Sequence, residues 1–268
     1  MDAVYEKIKS AVVNAGEMML AADDALKAGD VSEKDGDLTN LVTKYDVEIQ
    51  RYLIDTVSDI LPSAVFVAEE KDNDVSVLDS EYCFIIDPID GTTNFIHGYR
   101  HSCISLAMLS RGEVIFAIVY DPYLGEMFSA ELGRGAYLNG KRLHVSERPL
   151  KNAIVAFGTA TYRKDELGER TFDLSREIFY RSLDLRRCGS AALDLSYLAA
   201  GRNDAFYELS LYPWDIAAGM LLVREAGGII TTASGKPIDL AKRDSVIASN
   251  QGCYDELLEI SKKYDLCK

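Results

Sequence analysis

Positive charge, histidine and proline are all scarce in this chain, and each shortage excludes something. Lys and Arg number 29 against 43 Asp and Glu, a formal net charge of −14, so no field draws the protein to a nucleic-acid backbone or an anionic lipid surface. Only three histidines occur, His97, His101 and His144, which argues against histidine-rich metal chemistry and assigns them to surface or loop positions. The five cysteines, Cys83, Cys103, Cys188, Cys253 and Cys267, are odd in number and contain no C-x-x-C pair, unlike a disulfide framework or a zinc knuckle. A reducing compartment is the expectation. No apolar run nears the ~20 residues that span a bilayer, and Met1-Asp2-Ala3-Val4-Tyr5-Glu6 lacks a basic and then apolar export signal. The chain is therefore expected to be cytoplasmic, with no membrane and no nucleic-acid partner. The six prolines are scattered and mark no linker, and no repeat is visible. Residues 1–268 are expected to form one domain, with an N-terminal α+β lobe over about 1–150 and a C-terminal α/β lobe over about 151–268.

Hydrophobic residues make up 48% of the chain, ample for a large core, and their spacing sets the elements. Val4, Ile8, Ala11, Val12, Ala15, Met18, Met19 and Ala22 recur at helical period and predict a helix over 3–26. Thr43 and Asp46 match a capping box opening a second helix, with Val47, Leu53, Ile54, Val57 and Leu61 on its apolar face before Pro62. The period then shortens. Strands are expected at 65–67, 83–86, 104–109, 114–120, 126–131, 135–138 and 142–145. Beyond them, strands at 154–157, 205–207, 228–232 and 245–248 alternate with helices at 193–200, 216–226 and 254–264, a layered mixture of α and β. The stretch Gly135 to Arg142 approaches a phosphate-loop pattern, but Arg142 stands where a hydroxyl must hold the metal. Its Asn139-Gly140 pair reads as a hairpin turn instead.

Chemistry collects in Cys83-Phe84-Ile85-Ile86-Asp87-Pro88-Ile89-Asp90-Gly91-Thr92-Thr93-Asn94-Phe95. An apolar run fit for a buried strand ends in two acids, a glycine and two hydroxyl residues. Ionised carboxylates where a buried strand emerges need cations, because leaving them unpaired in low dielectric is costly. Pro88 restrains the backbone so that Asp87 and Asp90 can turn to one point, and Gly91 permits close approach to a ligand. Thr92 or Thr93 is expected to cap a short helix whose free N–H groups face an anion. An acidic turn is the plainer reading of this segment taken alone. Two further acidic clusters weigh against it: Glu69-Glu70 ends another apolar run, and Asp215 follows Trp214 in the first turn of a helix, where it also complements the helix dipole.

These three motifs, in this order and separation, resemble the inositol monophosphatase family of metal-dependent, lithium-sensitive phosphatases. The resemblance runs from about Ala11 to the C-terminal region and includes Gly189-Ser190-Ala191-Ala192 and Phe206-Tyr207-Glu208. It implies a five-layer αβαβα sandwich of mixed α/β class, Mg²⁺ dependence with two or three ions and Mn²⁺ as a substitute, a homodimer, and hydrolysis of a small phosphorylated polyol or sugar.

Position by position, the resemblance puts Glu69, Asp87 and the Ile89 carbonyl at a first metal and Asp87, Asp90 and Asp215 at a second, with Glu70 beside them. Thr92, paired with Asp46, would orient the attacking water, and Glu69 would share in handling its proton. Gly91 and Thr92 amides would cradle phosphate, while Ser190, Ala191 and Glu208 would line the alcohol pocket, with Asp90 and Asp215 also facing substrate. Lys34 and Asp35 compete for a lysine position before Leu41-Val42-Thr43, and neither is assigned. Thr161 to Arg170 and Tyr212-Pro213 lie where selectivity would be set. The expected reaction is hydrolysis of myo-inositol monophosphate by metal-activated water. Fructose-1,6-bisphosphatase, histidinol-phosphate phosphatase and nucleotide 3′-phosphatase activities are alternatives on the same core, and a non-catalytic metal-binding regulatory protein is the alternative outside enzymes.

Overall fold

Helix α1 (Asp2–Ala25) buries Tyr5, Ile8, Ala11, Val12, Ala15, Met19 and Ala22 along one stripe, as its periodicity requires. The computed structural model to which it belongs describes residues 1–26, 30–34 and 37–264. Strands β1 (Val31–Lys34) and β2 (Asp37–Thr43) pair antiparallel. Helix α2 (Lys44–Ile60) opens on the expected capping box, the Thr43 hydroxyl accepting from the Asp46 amide while the Asp46 carboxylate accepts from the Thr43 amide. Its buried stripe is Asp46, Ile49, Gln50, Leu53 and Val57. Val47, assigned to that face above, is instead 50% exposed, because one residue past Asp46 lies about 100° around the helix.

A seven-stranded sheet follows in chain order: β3 (Val65–Ala68), β4 (Cys83–Asp90), β5 (Cys103–Ser110), β6 (Glu113–Asp121), β7 (Glu126–Glu131), β8 (Gly135–Leu138) and β9 (Lys141–Arg142). β3 and β4 are parallel and the remaining pairs antiparallel. Asn139 and Gly140 turn β8 into β9 with φ of 47° and 78°, the paired positive values of a tight hairpin. The strand expected at 142–145 is cut short. The Leu143 amide still bonds the Ala136 carbonyl, but the Val145 amide bonds Ala226, so the chain has left the sheet. Helix α3 (Thr92–Ile96) sits between β4 and β5.

The second sheet contains β10 (Ile154–Phe157), β11 (Asp184–Arg186), β12 (Ala205–Leu211), β13 (Ile229–Thr231) and β14 (Asp244–Ser249) in the order β11-β10-β12-β14-β13. Helices α4 (Lys164–Arg181), α5 (Ala191–Ala199), α6 (Pro213–Glu225) and α7 (Tyr254–Ser261) complete the fold.

Among the described residues, three apolar clusters fill the four interfaces between five layers, the middle one spanning both central interfaces. Phe84 and Ile86 of β4 pack with Ile8, Met19 and Leu53 of α1 and α2. Cys83 and Ile85, alternating to the other face, pack with Leu195 and Leu222 of α5 and α6, which also meet Phe206 and Val246 of the second sheet. The far side of that sheet, with Val155, Tyr207 and Ile247, covers Leu174 of α4 and Leu257 of α7. The expected αβαβα sandwich is the observed fold. β4, covered on both faces, is buried at every residue, which is why Cys83 to Ile86 read as a continuous apolar run. Among the described residues, no helix is long and apolar enough to cross a membrane, and Cys83, Cys103, Cys188 and Cys253 are free thiols.

Candidate active site

The site begins where β4 breaks its ladder. Asp87 pairs with Ser105 and Asp90 with Cys103, so one extra residue is accommodated between the two acids. Pro88, lacking an N–H, suits such a bulge. In a regular strand, residues three apart point to opposite faces. The bulge restores both carboxyls to one side, and the Ile89 amide donates to Asp87 Oδ1 at 3.0 Å, which fixes the turn.

Gly91 follows with φ of 88°, and a Cβ there would stand 3.1 Å from the carbonyl oxygens of both Gly189 and His101. Only glycine fits that conformation and that approach. The expected threonine cap on α3 is absent: Gly91 is the N-cap and no side chain caps the helix. The Thr92 hydroxyl has better partners, Ile89 O at 3.1 Å and Asp46 Oδ1 at 3.3 Å.

Two other helix starts close on the acids. Ser190, the N-cap of α5, donates its hydroxyl to Asp90 Oδ2 at 2.6 Å, and the Ala192 amide donates to the same oxygen at 2.7 Å. Asp215, in the first turn of α6, accepts from the Tyr212 amide at 2.7 Å. Carboxylate oxygens of Asp87, Asp90 and Asp215 lie within 4.8 Å of one another, although the third comes from more than a hundred residues away.

Electrostatics makes this arrangement unstable as three bare anions. Burial, then Glu69, Asp90 and Asp215, hold the Asp87 carboxyl well above the usual range. Burial raises Asp90 to about 6 against the opposing hydrogen bonds from Ser190 and Ala192. Burial, Asp90 and Glu69 raise Asp215. Desolvation dominates all three, with acidic neighbours next for Asp87 and Asp215, so a hard divalent cation suits the cluster: oxygen donors only, converging, with excess negative charge.

The pocket above the cluster is lined by Glu69, Asp90, Gly91, Thr92, Ser190, Ala191, Glu208 and Asp215, among others. Asp87 and Ile89 lie buried beneath it, and Asp46 stands behind Thr92. The neighbouring Glu70 donates its amide to Gln50 Oε1 at 2.8 Å. Asp35 and the Lys34 side chain lie outside the described residues. Glu208, on β12, accepts from the Ala160 amide at 2.8 Å, and burial pushes its carboxyl up to about 7.

Sequence reasoning missed Gly158 and Arg187 in this wall. Gly158 matters because a Cβ there would fall 1.8 Å from Glu208 Oε2, and nothing in its own neighbourhood announces that contact. The Arg186-Arg187 pair beside Gly189 was a usable signal, a local positive charge next to a segment assigned to substrate.

The fold and an oxygen-only acid cluster suited to a divalent cation define the class of site, and comparison with known proteins gives its family. The model of the inositol monophosphatase family matches residues 1–265. The chain is 36% identical over 249 residues, 91% of it and 90% of the relative, to a Pseudomonas aeruginosa protein named Nus factor SuhB. It is 38% identical over 225 residues, 83% of each chain, to the inositol-1-monophosphatase of Rhizobium meliloti. The IMPase of Thermotoga maritima superposes with a TM-score of 0.87 at 34% identity, covering 98% of both chains. An IMPase/NADP phosphatase solved with Mg²⁺ and phosphate gives 0.85 at 27% identity, covering 97% of this chain and 95% of that one. The chain belongs to the inositol monophosphatase family.

Proposed function

We propose that this protein hydrolyses myo-inositol monophosphate to myo-inositol and phosphate, with Asp87, Asp90, Asp215, Glu69 and the Ile89 carbonyl holding two or three Mg²⁺ ions. The observation that carries the reading is the convergence of the Asp87, Asp90 and Asp215 carboxylates within 4.8 Å at the floor of a polar pocket. Bound there, such ions neutralise the acids, screen the phosphoryl oxygens and make water a stronger nucleophile near neutral pH.

The chain's own residues do the positioning. The Thr92 hydroxyl has one proton, donated to Asp46 Oδ1 or to Ile89 O, so its lone pairs remain to accept from a water on the pocket side. That water attacks phosphorus with its free lone pair, its proton passes to Glu69, and the bond from phosphorus to the alcohol oxygen breaks as that oxygen takes a proton from a second water in the pocket, whose hydroxide is neutralised by the proton held on Glu69. Asp46 keeps Thr92 oriented because its other oxygen is held by the Thr43 amide and hydroxyl at 2.8 and 2.6 Å. Gly91 and Thr92 amides receive phosphate oxygens, while Ser190, Ala191 and Glu208 face the alcohol.

Fructose-1,6-bisphosphate, histidinol phosphate and nucleotide 3′-phosphates are the competing substrates, since they share the reacting group and differ only toward Glu208 and its neighbours. A non-catalytic metal-binding role on this scaffold would use the clustered acids but leave a water-positioning threonine without one. The same reading carries a lithium-sensitive, cytoplasmic homodimer with one catalytic unit across the chain. Phosphate release measured over a panel of phosphorylated metabolites, with and without Mg²⁺, tests it. Mg²⁺-dependent release, fastest from inositol monophosphate, is the expected result, and no release from any monoester would overturn it.

A further inference from the structure

A second set of ligating side chains meets at the pocket wall, through Asp194. His101 lies on the segment between α3 and β5, Cys188 on the segment between β11 and α5, and Asp194 in the first turn of α5. An imidazole nitrogen, the thiol and a carboxylate oxygen of these three lie within 4.8 Å of one another. His101 Nε2 and Asp194 Oδ1 are buried with no hydrogen-bond partner, and Asp194 as a whole is 1% exposed. Buried polar atoms in native proteins are nearly always satisfied, so two orphaned metal-ligating atoms in one cluster call for an explanation.

The surroundings are rigid in a way that suits ligation. Asn94 donates from Nδ2 to both the His101 carbonyl and the Cys188 carbonyl, each at 2.8 Å, tying together the two segments that carry the first two ligands. The His101 ring is braced edge-on by Tyr197, centroids 5.9 Å apart. Burial lowers the His101 imidazole and so favours its neutral, ligating form. Burial, with Asp90 and Glu208, raises the Asp194 carboxyl against the opposing Arg187 and a hydrogen bond from the Cys188 thiol, so that thiol and carboxylate are already direct partners while Asp194 Oδ1 stays unpartnered. One divalent ion would balance a thiolate and a carboxylate, leaving a neutral complex in a poorly solvated place.

The geometry points to a metal site formed by His101, Cys188 and Asp194, separate from the oxygen-only acid cluster, that takes a borderline transition ion of the Zn²⁺ type. Nitrogen and sulfur donors select such ions over Mg²⁺, whose preference is for oxygen. Three protein ligands leave one position of a tetrahedral ion open. Asp194 also lines the phosphate pocket, so an ion here sits within reach of whatever the pocket holds. The inference does not depend on the reaction proposed above.

Cobalt is the probe, because a thiolate ligand to Co²⁺ gives a near-ultraviolet charge-transfer band that oxygen ligands do not. The full-length protein is first saturated with Mg²⁺ to fill the acid cluster and then titrated with Co²⁺. The band is expected in the parent protein, lost in Cys188→Ser, and formed at least about tenfold more weakly in His101→Ala. Cys103→Ser retains it, which separates this site from the thiol 3.9 Å from Asp90. Alkylation of the parent protein, read by mass spectrometry, supplies a measurement that needs no variant to fold: Zn²⁺ protects Cys188 and Mg²⁺ alone does not. No band in the parent protein, a band surviving in Cys188→Ser, or equal alkylation with both ions would overturn the site.

Discussion

The Thr92 hydroxyl lies 3.3 Å from Oδ1 of Asp46, a carboxylate that simultaneously closes the capping box of α2. Helix initiation and, in the proposed reaction, the positioning of water therefore share one side chain. Substitutions can separate the two duties. Thr92→Val keeps the shape of the side chain and leaves the cap intact, so kcat should fall on the order of 100-fold with little change in KM or in melting temperature. Asp46→Asn should cost activity and also roughly 1 kcal/mol of stability, because one amide cannot serve Thr43 and Thr92 as two carboxylate oxygens do. Steady-state kinetics beside thermal melts would check both. Full activity in Thr92→Val would remove Thr92 from the reaction.

That capping box was readable from Thr43 and Asp46 alone, as were α1, the Asn139-Gly140 turn and the buried strand leading to Asp87. Each depends on spacing within a few residues. Helix α4 was not readable, since its buried positions, Leu167, Thr171, Leu174, Ser175 and Ile178, include two hydroxyl residues that blur the apolar stripe. The acids were legible one by one, as polar groups at the ends of apolar runs. The meeting of Asp87 with Asp90 was legible from Pro88 between them, but that of Asp215 with either was suggested only by resemblance to a family, because no local pattern relates Asp215 to Asp87. The contacts of Gly158 with Glu208, and of His101 with Cys188 and Asp194, are long-range packing facts that no window of sequence contains.

Gly158 is where that packing is tightest. A methyl group there would fall 2.1 Å from Glu208 Cδ, so Gly158→Ala must displace the carboxyl and break its bond from the Ala160 amide. KM for the preferred ester should rise by about tenfold or more, corresponding to the loss of one hydrogen bond to a charged group, while Mg²⁺ activation stays the same. Glu208→Gln, which keeps an oxygen for Ala160, should reorder the accepted alcohols without altering metal affinity. Kinetics over several phosphate monoesters at varied Mg²⁺ would resolve the two effects. A shifted Mg²⁺ dependence with unchanged substrate ranking would mean that Glu208 faces the metals instead.

Asp90→Asn tests the acid cluster directly. Asp90 receives the Ser190 hydroxyl and the Ala192 amide on one oxygen, and an asparagine carbonyl can accept both. The fold should survive, with the metal-free protein as stable as the parent or more so, because one member of a mutually repelling set is gone. Turnover should drop by several orders of magnitude, and Mg²⁺ should raise the melting temperature less than in the parent. Retention of parental activity would sink the assignment of this carboxyl to metal binding.

Removing the metal should make stability depend on pH in a defined direction. In the metal-free protein Asp90 titrates at about 6 instead of 3.8, and Glu208 at about 7 instead of 4.5. The folded state thus holds protons that the unfolded chain has already lost, and stability must fall as pH rises from the ordinary carboxyl range through those raised values. Asp87 and Asp215, also raised, act in the same sense. With chelator present, the melting temperature should be higher at about pH 5 than at about pH 8, by roughly 5 °C for a chain of this size. Saturating Mg²⁺ should restore stability mainly at the alkaline end, where the carboxylates are ionised and able to bind it. A chelated protein that melts at the same temperature across this range, or higher at the alkaline end, would show that the buried acids are not held together as bare charges awaiting a cation.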